Sequence, residues 1–425
     1  MMYIEHTDLE IQREPFARPF GFKGSAFHEK WNAVVRVRDS AGITAFGLGG
    51  LAVLWSDPTV FVQHSEVGGN LLQLSVLEYA LQWIKNRDFT DPLALFDEIL
   101  PSTHEYAKSI TQLPSLRLTF TLNALVSLDN AIWMLYAKQN KITDFDKLIP
   151  GLYLPCLSGR QNRIAIVPAI GYTLPLEQIK DLLEQGIFVL KIKIGQPGNE
   201  KEMLERDSER LKQIHHICQN HSTIMTDSGK IAYYLDANGR YQTKDGILRL
   251  LDYADRIGCI DQIILIEEPF DEHLIVDVSD LPIRLAADES LHTIEDIRNR
   301  VGQGYQAVAI KPAGKTLSLA FQMVSASVEN AVIPFVADNA CVPILVEWNK
   351  NISARLPIFP GLKIGMMESN GPQNYATWPQ LISDYPLPEA HWLMPTSGTF
   401  QLNQNYYHHS GGIFTDPLPY IQSFR

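Results

Sequence analysis

Five short apolar runs between Val189 and Lys311 each end in a carboxylate or an amine. They read Val189-Leu190-Lys191-Ile192-Lys193-Ile194, Tyr234-Leu235-Asp236-Ala237-Asn238, Leu265-Ile266-Glu267-Glu268-Pro269, Ala286-Ala287-Asp288-Glu289 and Ala307-Val308-Ala309-Ile310-Lys311. Asp236, Glu267 and Asp288 fall on three successive runs, so they converge if the runs are neighbouring strands. Crowded carboxylates repel and push one another's pKa values up. A hard divalent cation relieves that repulsion, and oxygen ligands suit magnesium, manganese or calcium. No His or Cys stands at a corresponding position, which disfavours zinc. Lys193 lies one run before the acids and Lys311 one run after them. A substrate carboxylate held at the cation would have an amine on each face. That geometry suits abstraction of the proton next to the carboxylate on one side and its return on the other, through an enediolate. A free lysine is only about 0.1% deprotonated at neutral pH, so a base here needs its pKa lowered. Lys191, roughly 6–7 Å along the same strand face, and the cation are the charges expected to do that. The bland alternative pairs each acid with a lysine and leaves no reaction.

Elements that could place these groups follow from the spacing. Between the runs lies room for a helix and two loops, and strands alternating with helices imply a parallel sheet. In a closed barrel of such units the reactive groups sit at the C-terminal strand ends, where these charges fall. Side chains alternate along a strand, so Lys191 and Lys193 share the inward face while Leu190, Ile192 and Ile194 face the helices. Eight strands are expected, from Ile164–Ile170 to Leu362–Met367, so Lys193 on the second and Lys311 on the sixth oppose each other across the barrel. The fold expected is a (β/α)8-type barrel with an α+β capping domain. Residues 1–135 form the cap, 136–377 the catalytic barrel, and 378–425 a segment packing back on the cap. In the cap, strands are expected near Trp31–Asp39 and Ile43–Leu48, with helices at Leu72–Lys85, Pro92–Leu100 and Leu118–Gln139. Ala17–Ala26 and Leu48–Asp57 read as loops.

Composition sets the class. The 425 residues are 45% hydrophobic and 20% charged, ordinary for a globular protein. A formal net charge of −12 argues against a nucleic-acid surface. No apolar run of span length and no leader pattern stands out. Cys156, Cys218, Cys259 and Cys341 form no C-x-x-C pair and read as thiols of a reducing cytoplasm. Asn238 and Glu289, next to the proposed ligands, read as residues that orient them. Glu268 reads as structural, His273 and His292 as candidates for the pocket, and Gly195-Gln196-Pro197-Gly198 as a weak match to a phosphate-cradling turn.

The five motifs together, K-x-K at Lys191 and Lys193, D-A-N at Asp236–Asn238, E-E-P at Glu267–Pro269, A-D-E at Ala287–Glu289, and Lys311, resemble the enolase superfamily. Within it they are similar to the muconate lactonizing enzyme-like subgroup, with its dipeptide epimerases, N-acylamino acid racemases and o-succinylbenzoate synthases. The resemblance implies Mg²⁺ (Mn²⁺ as substitute) on Asp236, Glu267 and Asp288, Lys193 and Lys311 as acid/base catalysts, and Lys191 as their assistant. It also implies that substrate specificity lies in the capping stretches around Phe20, Lys23 and Trp55, and at Asp338, Asn339, Glu368 and Asn370 on the seventh and eighth strand ends. Dipeptide epimerases of this type carry D-x-D at the eighth strand; this chain has Glu368 and Asn370 instead. A homo-oligomer is expected by analogy with the family, with a small carboxylate as substrate and neither nucleic acid nor membrane as partner. The function expected is a Mg-dependent epimerase or racemase of a dipeptide or N-substituted amino acid. A cycloisomerase or β-elimination lyase on the same site is the runner-up, and a non-catalytic metal- and ligand-binding barrel is the alternative of another class.

Overall fold

A computed structural model describes residues 2–22, 25–422 and 424. Its first element departs from the sequence reading. Strand β1 (Met2–Phe22) runs through the stretch read as the Ala17–Ala26 loop and turns into β2 (Ser25–Asp39). Pro15 and Pro19 argue against a regular strand, since proline donates nothing to a ladder. The pairing accommodates them with a register shift between Pro15 and Phe20, then resumes as Phe20 opposite Phe27. β3 (Thr44–Leu51) and the two-residue β4 (Asp88–Phe89) complete a four-stranded antiparallel sheet in the order β3-β2-β1-β4.

Three helices back this sheet, and two are longer than expected. Pro58–Ile84 starts well before Leu72 as two helical pieces that meet at a kink at Ser65 (φ 64°); Asp57 caps the first, accepting from the Thr59 and Val60 N–H groups (2.9 and 3.2 Å), with Pro58 in the first turn, where its missing N–H costs nothing. Pro92–Thr111 continues past Leu100 through an exposed Pro101, giving up one ladder bond on its solvent side. Leu118–Gln139 is apolar all round and is long and apolar enough to cross a membrane by composition, contrary to the expectation of no such run. Of its most apolar window, 94% is buried inside the fold. It lies against β3, and the glycines there are required: a Cβ on Gly47 would sit 2.2 Å from Ala131 N, and one on Gly49 2.5 Å from Ser127 N.

The barrel begins with β5 (Arg163–Val167) and β6 (Ala169–Ile170), one strand interrupted by Pro168. It continues through β7 (Val189–Lys193), β8 (Ala232–Asp236), β9 (Ile263–Glu267), β10 (Leu285–Ala287), β11 (Ala307–Ile310), β12 (Ile333–Val336) and β13 (Gly365–Glu368). Each pairs in parallel with the next, and β13 returns to β5 while β6 pairs with β7. The circle therefore closes through the interrupted first strand, with helices on the outside. This is a (β/α)8-type barrel with an α+β cap.

After the barrel the chain adds β14 (Thr399–Gln401), antiparallel to β5. Trp392 and Tyr406 of this last segment are buried, and Lys350 on helix Pro343–Ser353 donates to the Trp392 carbonyl (2.9 Å). Contact with the cap comes from Asp416, which pairs with Lys138 (2.7 Å), and from Phe424 against Phe46. A second cap–barrel tie is Asp129, inside helix Leu118–Gln139. Its carboxylate accepts from the Leu317 and Ser318 N–H groups (2.8 and 3.1 Å) and from the Ser318 hydroxyl. It thereby satisfies the open amides at the start of helix Leu317–Glu329.

Candidate active site

Strand alternation brings Lys191, Lys193, Asp236, Glu267, Asp288 and Lys311 to one mouth of the barrel, where their side chains touch. Lys191 Nζ contacts both Glu267 oxygens (3.1 Å each), Asp236 Oδ2 (3.0 Å) and Glu368 Oε2 (2.9 Å). Lys193 Nζ donates to Asp236 Oδ2 (2.5 Å) and Asn238 Oδ1 (2.9 Å). On the far side Lys311 Nζ donates to Asp288 Oδ2 (2.6 Å). Lys193 ends β7 and Lys311 follows β11, with β8, β9 and β10 between them.

The residues expected to orient the ligands lie inside this network. Asn238 takes a left-handed backbone (φ 45°), which asparagine tolerates better than most residues. From there its N–H donates to Asp236 Oδ1 (3.1 Å) and its Nδ2 to Glu289 Oε1 (2.8 Å). Glu289 is also closer to the centre than a supporting role requires. Carboxylate oxygens of Glu267, Asp288 and Glu289 all lie within 4.8 Å of one another, whereas Asp236 is turned toward Lys191 and Lys193. Glu268, also at positive φ (36°), holds the next strand end by accepting from Asp288 N–H (2.6 Å) and Ser290 Oγ (3.0 Å).

Burial and charge compete at every group. Burial would raise Asp236, Asp288 and Glu368, but the adjacent lysines outweigh it and hold all three below their usual values. At Glu267 burial wins instead, aided by Asp288 and Glu289, and raises it well above the ordinary range. Glu268 is pushed up to about 7 by burial and by Glu289. At Lys311 burial acts to lower the pKa, but Asp288 and Glu267 more than compensate and leave it above its ordinary value. Lys191 is raised for the same reason by Asp236, Glu267 and Glu368.

The donor set fits a hard divalent cation. Asp288 Oδ1 and Glu289 Oε2 are buried without a hydrogen-bond partner, and every candidate ligand offers oxygen. Seven acids (Asp236, Glu267, Glu268, Asp288, Glu289, Asp338, Glu368) are buried around the mouth, against five lysines (30, 191, 193, 311, 315), of which Lys193 remains partly exposed. Asp236, Glu267 and Asp288 would hold the cation, with Glu289 within reach.

The sequence reading passed over several residues here. Lys315, four positions after Lys311, is fully buried and donates to the Asp288 and Leu291 carbonyls (2.8 and 2.7 Å); burial pulls its pKa down to about 8. The i,i+4 spacing was the available signal. Arg117 of the cap donates to the Glu289 carbonyl (3.0 Å) and pairs with Glu272. His292 contacts the same Glu272 (2.8 Å) and Thr119 (2.7 Å), tying loop to cap rather than facing substrate, while His273 is exposed. The turn at Gly195 is already filled: Asp207 accepts from the Gly195 and Gln196 N–H groups (2.7 and 3.2 Å).

Of the specificity positions, Trp55 lies over the Lys311 ammonium, 4.6 Å from ring centroid to Nζ. Phe20 joins Phe16 and Phe27 in an aromatic cluster that reaches Tyr375, after the eighth strand. Asp338, Asn339, Glu368 and Asn370 gather at the ends of β12 and β13, and Asn370 Nδ2 bridges Asp338 Oδ2 (3.1 Å) and Glu368 Oε1 (3.0 Å). Lys23 lies outside the described residues.

No protein-family model matches the chain, and none of the curated proteins matches it in sequence. Solved structures do. A mandelate racemase/muconate lactonizing protein from Herpetosiphon aurantiacus superposes with a TM-score of 0.66 at 15% identity, covering 95% of this chain and 96% of the other. The dipeptide epimerase from Enterococcus faecalis V583, complexed with Mg and the dipeptide L-Leu-L-Tyr, gives 0.62 at 17% identity, over 88% of this chain and 100% of that one. The N-succinyl Arg/Lys racemase from Bacillus cereus ATCC 14579 gives 0.62 at 15%, over 88% and 89%. The chain therefore shares the fold of these structures, a (β/α)8-type barrel with an α+β cap.

Proposed function

We propose that the chain is a Mg²⁺-dependent racemase or epimerase that removes and returns the proton α to the carboxylate of a dipeptide or N-substituted amino acid. The observation that carries this reading is the placement of Lys193 and Lys311 on opposite sides of the acid cluster, each hydrogen-bonded to its outermost carboxylate. The cation, when bound, supplies positive charge to the substrate carboxylate as the neighbouring carbon loses its proton. One lysine Nζ, as the neutral amine, takes that proton from one face and becomes an ammonium, and the other Nζ, as the ammonium, delivers a proton to the opposite face. Asn238 holds Lys193 in line through its Oδ1. Trp55 covers Lys311 and keeps water from that face. The fold is shared with a dipeptide epimerase and an N-succinyl amino acid racemase, which supports this substrate range.

The test is α-proton exchange in D₂O with Mg²⁺ and a library of dipeptides and N-acylamino acids, followed by NMR. Exchange with loss of optical rotation is expected. Elimination or ring-closure products without racemisation would replace this reading with a lyase or cycloisomerase.

A further inference from the structure

One side chain of the cap reaches the backbone of the acid cluster. Arg117 precedes helix Leu118–Gln139, and its side chain is 11% exposed. The guanidinium serves three segments at once. Nη2 donates to Glu272 Oε2 (2.9 Å) and to the Glu289 carbonyl (3.0 Å), Nε pairs with Glu272 Oε1 (2.8 Å), and Nη1 donates to the Trp55 carbonyl (3.3 Å). The Arg117 N–H donates to Asp57 Oδ2 (3.0 Å), so the short stretch from Trp55 to Asp57 is held at both ends.

The contact with Glu289 ties the cap to the cation site. Asp288 and Glu289 are neighbours, and their carbonyls are held from different sides. That of Asp288 accepts from Lys315 Nζ (2.8 Å), a barrel residue, whereas that of Glu289 accepts only from Arg117 among the described residues. The Glu289 carboxylate lies within 4.8 Å of those of Glu267 and Asp288, and its Oε2 is buried without a partner. Such an oxygen is costly unless a ligand uses it. Asn238 steadies Oε1 (2.8 Å), and the cap steadies the peptide that aims the whole group. Glu272 keeps the guanidinium in place and is itself held by His292 Nε2 (2.8 Å).

We propose that Arg117 is a positioning residue for the cation, acting through the Glu289 backbone, so that docking of the cap and filling of the acid cluster favour one another. This rests on the cation site of the function proposed above and adds its link to the cap. Pairing with Glu272 needs only a point charge, whereas reaching two carbonyls as well needs the planar fork. Arg117→Lys therefore keeps the ion pair and gives up the carbonyls.

The test titrates Mg²⁺ by calorimetry into the full wild-type chain, Arg117→Lys, Glu289→Gln and the variant carrying both. Arg117→Lys should bind Mg²⁺ about tenfold or more weakly, the loss typical of residues that orient a ligand. The double variant should bind no more weakly than the weaker single one, because both changes act on one group. Linkage is reciprocal, so Mg²⁺ should slow amide hydrogen exchange across residues 52–57 in wild type and not in Arg117→Lys. Asp129→Asn, at a cap–barrel tie of its own, should keep the wild-type Kd. A wild-type Kd in Arg117→Lys, or additive losses in the double variant, overturns the proposal. If Arg117→Lys does not fold, Glu272→Gln, which loosens the same guanidinium, must show the weaker binding or the proposal falls. If wild type binds no Mg²⁺, the cation site fails and this link with it, whereas binding that Arg117→Lys leaves unchanged removes the link alone.

Discussion

Two buried charge assemblies in this molecule hold their charges to different degrees. Beneath the C-terminal segment, Glu347 and Lys350 form a fully buried ion pair (2.5 Å) on one helix. Burial dominates there: it pushes Glu347 up to about 7 and lowers Lys350, so both partners move toward neutrality. Asp129, capping a helix without any cation, moves the same way, up to about 6. At the barrel mouth burial is as deep, yet Asp236, Asp288 and Glu368 stay below their usual values and Lys191 and Lys311 stay above theirs, while Glu267, Glu268 and Lys315 move toward neutrality as the isolated pair does. The difference is the number of partners. An isolated pair cannot recover its desolvation cost, whereas Lys191 meets three carboxylates at once. Charge with a single partner is shed; charge with several close partners of opposite sign is kept.

The largest break expected is in the reaction. Lys193→Ala and Lys311→Ala should each lower α-proton exchange by about 10³-fold or more, while a packing charge such as Lys350 should not enter the chemistry. Steady-state racemisation and deuterium wash-in measure this. Loss from one lysine variant only would favour a single-base elimination.

The next break is in stability, at the other assembly. Lys350→Met leaves Glu347 buried and unpaired and should cost about 3–5 kcal/mol in urea unfolding, whereas Glu347→Leu with Lys350→Met should be neutral or stabilising by about 1–4 kcal/mol. A double variant as unstable as the single one would mean that the pair is needed for more than its own neutrality. A smaller effect sharpens the mouth itself. Glu289→Gln should weaken Mg²⁺ binding by about 10–100-fold, read by calorimetry. An unchanged affinity would leave Glu289 as a partner of Asn238 only.

How much of this was legible follows from what each residue does locally. The five charged strand ends were readable because a strand's period of two puts inward residues at fixed positions, and the charges break apolar runs. Glu289 could be placed near the site but not ranked, because Asn238 at positive φ is what swings it toward Glu267 and Asp288. β1 was missed because Pro15 and Pro19 signal a loop, and the register shift that absorbs them is a property of the pair, not of one segment. Lys30 was invisible for a similar reason. It lies one residue before the strand expected at Trp31–Asp39, and only the approach of the cap to the barrel brings its ammonium to the Asn339 carbonyl. Cap helices ran beyond their expected ends where a capping acid, Asp57, or an exposed proline, Pro101, changed the local balance.

The smallest effect concerns pH and tests whether structural charge is shed as described. Asp129 has an ordinary value near 3.8 and is raised to about 6 by burial, which its bonds from Leu317 and Ser318 only partly offset. Between those values the folded chain holds a proton that the unfolded chain has released, so stability from this group is full below about pH 4 and falls as pH rises through 6. Asp129→Asn keeps an oxygen for the amides of helix Leu317–Glu329 and has no proton to lose. The variant should therefore gain on wild type by on the order of 2–3 kcal/mol between pH 4 and pH 7, as measured by denaturant unfolding at the two pH values. A constant difference between the two proteins would mean that Asp129 stays ionised throughout. The helix amides would then be strong enough to do for one carboxylate what a crowd of lysines does at the mouth.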